Sequence, residues 1–297
     1  MVIVGPTASG KSELAVRIAK KFKGEVISAD SRQIYRNLDI GTGKVPGRRI
    51  IGSRTSYNFI YKGVPHHCID FVSPKRTYTV AEYKKCAQKA ISDIASRGKV
   101  PMLVGGTGFW IDAVVYDLDL PAVPPNPKLR KKLEKRNVTE LLKMFQKLDP
   151  ERAKSIEQKN PRRLIRAIEI AKTLGRAPKV KKRSPYTALW IGLTSPSETR
   201  SRKIRNRVEK MVKSGLVAET KKLLQDRVPQ KRIREFGFEY RAALDYLQNG
   251  IDKERLRQRI VRDSIQYARR QMVWFKHNKE IHWVRNYGEA EKLVKKF

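Results

Sequence analysis

The segment Gly5-Pro-Thr-Ala-Ser-Gly-Lys-Ser12 constrains the fold of this chain more than any other feature. It fits the phosphate-loop pattern GxxxxGK[ST] at every fixed position, and a short β-branched run, Val2–Val4, precedes it. After the loop, apolar residues recur at helical spacing from Leu14 to Phe22. A strand, a glycine-rich turn and a helix in this order predict a site where backbone N–H groups and the positive end of the helix hold phosphate oxygens.

Two side chains of the loop add their own chemistry. Lys11 supplies a mobile positive charge to the phosphates, and the Ser12 hydroxyl can ligate Mg²⁺. We therefore predict a phosphate site formed by Gly5, Pro6, Thr7, Ala8, Ser9, Gly10, Lys11 and Ser12, with Mg²⁺ as the cofactor. The motif does not say which phosphate compound is bound.

The rest of the first third predicts the fold class. Further strands are expected at Glu25–Ser28 and Val100–Val104, with a helical pattern over 80–97 between them. Alternating strands and helices predict an α/β fold: a P-loop NTPase-like core with a parallel sheet, whose ligands lie at the carboxyl ends of the strands.

Two breaks indicate an inserted domain. Residues 119–127 contain four prolines, which predict a stiff connector, and the following 128–175 are helical in composition. A second break runs from Ala177 to Pro185; Leu189–Leu193 then resembles a return to the sheet, and the pattern is mainly helical from about 197. We predict a core of 1–118 and 186–297 and an inserted, basic, all-helical domain of 119–185.

The net charge restricts the partners. Lys and Arg number 66 against 29 acids, a formal charge of +37, and the excess is densest per residue in 119–185. Adaptation for solubility or to an unusual cytoplasm is the alternative, but it would spread the charge more evenly. A polyanion offsets the self-repulsion of such a chain, so nucleic-acid binding is the favoured interpretation.

Asp30 follows the second predicted strand, near the phosphate loop. A carboxylate there can accept a proton from a nucleophile, although capping of a following helix explains it equally well. The third strand ends in Gly105-Gly-Thr-Gly108, which suits either a backbone close to a ligand or a tight turn. It has no terminal Asp to hold Mg²⁺, which counts against ATP hydrolysis.

Other polar groups are interpreted as structural. His66-His67-Cys68 is expected to be packed or hydrogen-bonded rather than a metal site, because adjacent ligands converge poorly on one ion. Cys68 and Cys86 predict no disulfide framework and favour a reducing cytoplasm. No apolar run is long enough to span a membrane, and no signal peptide precedes Gly5.

Two basic segments remain open to interpretation. Arg162, Arg163 and Arg166 share a predicted helical face; scarce acids favour phosphodiester contact over a solvated surface. Near the carboxyl end, bases and aromatics alternate from Gln266 to Phe275, which suits RNA binding and a packed stripe equally.

Together these motifs resemble one family. The phosphate loop, Asp30-Ser-Arg-Gln-Ile-Tyr35, Gly41-Thr-Gly-Lys44, Gly63-Val-Pro-His-His-Cys-Ile-Asp70, Gly105-Gly-Thr-Gly108, Asn160-Pro-Arg-Arg-Leu-Ile-Arg-Ala167 and Gln266-Tyr-Ala-Arg-Arg-Gln271 are similar, in order, to motifs of the bacterial tRNA dimethylallyltransferases. The likeness covers nearly the whole chain. Departures occur at Trp110, at Lys203 and at Gly237-Phe-Glu239, where the family usually has Tyr, Arg and Gly-Tyr-Lys/Arg.

The resemblance implies a reaction. The loop would hold dimethylallyl diphosphate, and the prenyl group would pass to N6 of adenine 37 in the anticodon stem-loop of tRNA. It implies that Asp30 is the base, that Thr7 orients the reacting centre, and that Lys11 and a basic residue, Lys203 or Arg207, stabilise the pyrophosphate. The residues expected to contact tRNA are Asp30, Ser31, Arg32, Gln33, Thr107, Arg130, Arg162, Arg163, Leu164, Ile165 and Arg166. No membrane and no obligate protein partner is implied.

Three alternatives remain at this stage. An adenylate isopentenyltransferase would prenylate a free nucleotide, and a P-loop small-molecule kinase shares the loop and the fold. The kinase has no evident use for the basic insert. An RNA-binding protein with a vestigial loop is disfavoured by the intact Lys11, Ser12 and Asp30.

Overall fold

A computed structural model of the chain describes residues 1–50, 59–176 and 184–297. The chain divides into two compact units, a core unit of Met1–Tyr116 with Ser184–Phe297 and a helical unit of Asp117–Arg183. Both boundaries lie two residues before those predicted from the proline-containing breaks. Most of the second break, 177–183, lies outside the described residues.

Strands and helices alternate through the first part of the core unit. The described strands are β1 (Val2–Val4), β2 (Gly24–Ala29), β3 (Arg48–Arg49), β4 (Phe59–Tyr61), β5 (Val64–His67), β6 (Val100–Gly105), β7 (Trp190–Leu193) and β8 (Ile281–Val284). The described helices are α1 (Lys11–Lys21), α2 (Val80–Ser96), α3 (Gly108–Val115), α4 (Pro127–Leu133), α5 (Val138–Leu148), α6 (Pro150–Ser155), α7 (Pro161–Leu174), α8 (Ser197–Lys213), α9 (Leu216–Gln225), α10 (Gln230–Glu235), α11 (Phe238–Leu247), α12 (Lys253–Lys276) and α13 (Tyr287–Lys296).

The described strands form one sheet in the order β3-β4-β5-β2-β6-β1-β7-β8. All neighbours from β5 to β8 are parallel, and Ile3 of β1 lies between Val104 of β6 and Ile191 of β7. The parallel α/β fold predicted from the sequence is confirmed. Because β1, β2 and β6 end at the same edge, the loops that follow them meet there.

Sequence patterns missed the edges of this sheet. The β3-β4-β5 meander pairs antiparallel, and β8 adds in parallel to β7 within a region predicted as mainly helical. These strands are two to four residues long. Segments this short are too short to show the alternation of a strand or the 3.6-residue repeat of a helix, so only their pairing with the sheet defines them.

Apolar clusters cover both faces of the sheet. Ile3, Val26 and Val104 pack under α1 on one face. On the other, Trp110 of α3 is buried and stacks on Tyr83 of α2, with ring centroids 4.2 Å apart. Trp110, one of the departures from the family pattern, therefore lies in the core.

The helical unit has its own core. Leu141, Phe145, Leu164 and Ile168 pack together, and Ile165 is buried in the same cluster. The side chains of Leu164 and Ile165 therefore face the interior and hold α7 in place. The expectation that these two residues contact tRNA stays a prediction, and such contacts would have to come from their backbone.

A buried carboxylate also organises this unit. Glu169 accepts hydrogen bonds from Arg130 and Arg166, and Arg166 donates a second one to the Val123 carbonyl. The scarcity of acids had favoured a different interpretation, in which these arginines were unpaired. Although they are paired with Glu169, the side chains of Arg130 and Arg166 remain about a third exposed.

Cys68, after β5, and Cys86, on α2, form a disulfide, with Cα atoms 6.4 Å apart. The expectation of unpaired thiols is wrong, because tertiary packing brings together two residues that are 18 apart in sequence.

None of the helices in the described part of the chain has the length and apolar content that a membrane span needs.

Candidate active site

A cavity of about 440 Å³ lies at the carboxyl edge of the sheet in the core unit. The phosphate loop lines it through Thr7, Gly10, Lys11 and Ser12, and Asp30 lines it after β2. The two motifs that the sequence analysis singled out therefore face one space. A phosphate compound held by the loop would share this space with the Asp30 carboxylate.

Lys11 is a half-buried cation that lines the cavity. The pKa of its ammonium group is lowered to about 8, mainly by burial; the Asp30 charge opposes this shift and the Arg207 charge adds to it. Its Nζ lies 3.5 Å from the Pro6 carbonyl oxygen. Burial disfavours the charged form of Lys11, and a phosphate bound in the loop would stabilise that form. The loop therefore favours binding of an anion.

Asp30 caps a turn and faces the cavity at the same time. Its Oδ1 accepts hydrogen bonds from the Arg32 and Gln33 N–H groups at 2.9 and 3.4 Å. Residues 31–34 form a turn and not a helix, so the alternative of a helix cap is replaced by a turn cap. Among the described residues nothing hydrogen-bonds Oδ2 of Asp30, which leaves this oxygen for a substrate.

The loop after β6 is tied to the loop after β2. The Ser31 N–H donates to the Thr107 hydroxyl oxygen at 3.1 Å. The backbone next to Asp30 is thereby held by Thr107. The Gly105–Gly108 segment thus positions residues at the site as well as turning the chain.

Arg207 and Thr7 also line the cavity and are hydrogen-bonded to each other. Arg207 on α8 donates to the Thr7 hydroxyl at 3.0 Å and to the Thr42 carbonyl at 3.2 Å. A Cβ at Gly43 would lie 2.1 Å from the Arg207 guanidinium, so only glycine allows this approach. Lys203, one turn earlier, also lines the cavity but is exposed. Of the two candidates for a pyrophosphate contact, Arg207 is held next to the loop.

Gln271 on α12 is a residue whose position the sequence analysis did not foresee. The Thr7 N–H donates to its Oε1 at 2.8 Å, and its Nε2 donates to the Gly106 carbonyl at 2.9 Å. A Cβ at Gly106 would lie 2.2 Å from Nε2, which requires glycine there. One buried amide thus joins the phosphate loop to the loop that holds Ser31.

Arg32 has a partner that was also missed. Its guanidinium pairs with Glu239 at 2.8 Å and lies over the rings of Phe238 and Tyr267, 5.2 and 5.3 Å from their centroids. Burial raises the pKa of Glu239, although Arg32 opposes this shift. Glu239 stands where the family usually has Lys or Arg. This reversal of charge was the only sequence signal for the ion pair with Arg32.

The remaining predicted residues are distributed over both units. Gln33 lines the cavity, and its Nε2 donates to the Thr42 and Gly43 carbonyls. Arg162 and Arg163 are exposed on α7 of the helical unit, and Arg163 pairs with Glu157.

The two histidines are packed and hydrogen-bonded, as predicted. His66 Nδ1 lies 2.9 Å from the Val64 carbonyl, and His67 Nε2 lies 2.8 Å from Glu25. Burial lowers the pKa of His66 to about 4, so its ring is neutral at pH 7.

A parallel sheet with a phosphate loop and a carboxylate facing one cavity defines a P-loop enzyme of group transfer. Sequence comparison gives the family. The family model described as IPP transferase matches residues 33–278, and that of isopentenyl transferase matches residues 1–63. The chain belongs to the IPP transferase family.

Individual relatives are similar over nearly their whole length. The tRNA dimethylallyltransferase of Thermomicrobium roseum is 38% identical over 95% of this chain and 85% of its own. That of Pelotomaculum thermopropionicum is 36% identical over 99% and 93%. The crystal structure of a tRNA isopentenylpyrophosphate transferase from Bacillus halodurans superposes with a TM-score of 0.69, at 34% identity, over 99% of this chain and 92% of that one.

Proposed function

We propose that this protein transfers a dimethylallyl group from dimethylallyl diphosphate to N6 of adenine 37 in the anticodon stem-loop of tRNA and releases pyrophosphate. The observation that carries the proposal is that Lys11 and Asp30 line the same cavity. Membership of the IPP transferase family supports it. The proposed compartment is the cytoplasm, where tRNA is available.

Asp30 takes the acceptor side of the reaction. The exocyclic amine of adenine is a weak nucleophile, so a base must remove its proton as the new C–N bond forms. In this proposal Oδ2 of Asp30 accepts that proton, while Oδ1 remains hydrogen-bonded to the turn. Arg32 and Gln33 line the cavity beside Asp30, and in this proposal the adenine lies against them. Ser31 and Thr107, hydrogen-bonded to each other next to Asp30, are the further residues proposed to contact it.

The phosphate loop takes the donor side. As the C–O bond breaks, the leaving pyrophosphate carries away the electron pair, and negative charge builds on its oxygens. Lys11, the loop N–H groups and Arg207 would stabilise that charge, and Thr7, held by Arg207 and Gln271, would orient the bridging oxygen.

The proposed cofactor is Mg²⁺. Ser12 offers one hydroxyl oxygen in the cavity wall, and no group of three or more His, Cys, Asp or Glu side chains in the described chain is arranged to hold a metal. This fits an ion bound mainly by diphosphate oxygens and water, which would neutralise the leaving group.

The adenine must leave its stack to reach this cavity, at a cost of about a few kcal/mol. Phosphate contacts by basic residues offset such a cost. We propose that Arg162 and Arg163 of the helical unit, with the exposed parts of Arg130 and Arg166, make contacts of this kind.

A parallel incubation tests the reaction. Labelled dimethylallyl diphosphate is mixed with the protein and either tRNA, AMP or ATP. We expect label in tRNA alone. Label in a nucleotide would indicate an adenylate isopentenyltransferase, and ATP consumption without transfer would indicate a kinase.

Gln271→Glu tests the link between the two loops through its pH dependence. An ionised carboxylate accepts from Thr7 but repels the Gly106 carbonyl, so we expect kcat to fall about 10- to 100-fold at pH 8, where the loops are misaligned. Burial raises the pKa of the new carboxyl group, and its protonated form can make both hydrogen bonds. The ratio of variant to wild-type kcat should therefore rise as the pH falls.

Comparison with wild type at each pH removes the titration of the other ionisable groups that line the cavity. These are Lys11, Glu13, Asp30, Arg32, Lys44, Tyr61, His66, Lys203, Arg207, Glu239 and Tyr267. Gln271→Met, which loses both hydrogen bonds, is the control and should show a pH-independent ratio. A pH-independent ratio in Gln271→Glu would contradict the positioning role.

Arg162→Ala combined with Arg163→Ala should weaken tRNA binding. Arg162 has no ion pair with a described residue, so its charge is available to phosphates. We expect the slope of log K against log salt to become shallower by about one per lost contact. Lys143→Ala with Lys147→Ala on α5 removes the same charge and serves as the control. Equal slopes in the two double variants would show that Arg162 and Arg163 contribute no more to tRNA binding than other exposed cations of the helical unit.

A further inference from the structure

Phe109 and Val273 are exposed apolar side chains in a region of the core unit to which the proposed mechanism gives no role. They are 43% and 61% exposed, and the large exposed hydrophobics of the described chain are Phe109, Leu174, Val273 and Phe297. Val273 precedes Trp274, and the rings of Trp274 and Phe109 meet edge to face, with centroids 6.4 Å apart. We call Phe109, Val273 and Trp274 the aromatic ledge. The paired rings of Phe109 and Trp274, with Phe109 open to solvent, offer an apolar surface that a ligand could cover.

The ledge adjoins the Asp30 side of the cavity. Phe109 lies two residues after Thr107, whose hydroxyl holds the Ser31 backbone. Trp274 lies one helical turn after Gln271, which lines the cavity. A Cβ at Gly108 would lie 2.2 Å from the Trp274 indole, so the glycine lets α12 pack directly on the start of α3. From these links to Thr107 and Gln271 we infer that a group seated on the ledge lies near the proposed acceptor position.

The charge around the ledge selects a partner. Arg269, Arg270 and Lys276 are exposed on the same helix, and no acid occurs in 264–279. A ring surface beside exposed cations matches a stacked base with its flanking phosphates. A protein partner would need an acidic surface around an apolar contact.

We propose that Phe109, supported by Trp274, stacks against the nucleobase next to the acceptor adenine, and that Arg269, Arg270 and Lys276 hold the neighbouring phosphates of the RNA strand. The inference rests on the proposed function and adds a second binding position to it. Extruding one base exposes a face of the base beside it, and the ledge replaces the lost stacking partner.

Phe109→Ala tests the ledge with an anticodon hairpin as the acceptor. Loss of one base–aromatic stack should lower kcat/KM for the hairpin by about tenfold or more, while KM for dimethylallyl diphosphate stays within twofold. Phe109→Tyr keeps a ring and should retain activity. Phe297→Ala removes an exposed Phe at the end of the chain and is the matched control.

Two further hairpins, each lacking the base on one side of the acceptor, separate stacking from a structural effect. For one of them we expect wild type to fall to the level of Phe109→Ala, with no additional loss in the variant. Equal kcat/KM for Phe109→Ala and wild type on the intact hairpin would overturn the proposal. So would the same fold loss in the variant on all three hairpins.

Failure of the proposed function has a different signature. If wild type transfers no prenyl group to the hairpin, the reaction assignment fails, and fluorescence anisotropy of labelled hairpin then tests the ledge by itself. Weaker RNA binding by Phe109→Ala, restored in Phe109→Tyr, supports the ledge. Unchanged RNA affinity assigns it to a partner of another class and overturns the proposal.

Discussion

Replacing Asp30 by asparagine is expected to reduce kcat for prenyl transfer by about 10²- to 10⁴-fold, the usual contribution of a general base. Asparagine keeps an oxygen that can accept the Arg32 and Gln33 N–H groups, so the turn after β2 is retained. It cannot take the proton of the adenine amine. Single-turnover rates with saturating tRNA and dimethylallyl diphosphate measure the effect on chemistry directly.

The affinity for tRNA should stay within a few-fold in Asp30→Asn, because the cavity wall is unchanged. Asp30→Ala removes the base and the turn cap together, and we expect the same loss of transfer, with affinity for tRNA again changed only a few-fold. If Asp30→Asn loses RNA binding and keeps its turnover, Asp30 serves docking and not catalysis.

Lys11→Ala is expected to weaken binding of dimethylallyl diphosphate by about 10- to 100-fold, the size of a lost hydrogen bond to a charged group. The affinity for tRNA should be kept. Lys20→Ala, an exposed lysine on the same helix, removes the same charge from the protein and is the control. Unchanged diphosphate affinity in Lys11→Ala would contradict its assigned role.

The pH dependence of donor binding gives a second test of Lys11. Burial lowers its pKa to about 8, and a bound diphosphate stabilises the charged form. Wild-type affinity should therefore be constant below that pH and should fall as the pH rises through about 8. Equilibrium binding between pH 7 and 9.5 measures this decline, and it should be absent in Lys11→Ala.

Local patterns predicted much of the fold. The phosphate loop needs only contiguous residues, so its strand, turn and helix were apparent from Val2 to Phe22. Long periodic segments such as α2 were also recognised, because repeated apolar spacing is visible along the chain. The short strands β3, β4, β5 and β8 were not, since each is too short to show a period and depends on its neighbours for hydrogen bonds.

The site divides in the same way. The sequence by itself determined that Lys11 and Asp30 are present with the chemistry of an anion site and a base, and that the chain is strongly basic. Only the tertiary structure decided that Gln271, 264 residues from Thr7, joins the two loops, that Glu239 holds Arg32, and that Glu169 occupies Arg130 and Arg166. Hydrogen bonds and ion pairs between distant segments depend on where packing brings those segments. That information lies in the whole core and in no single stretch of residues.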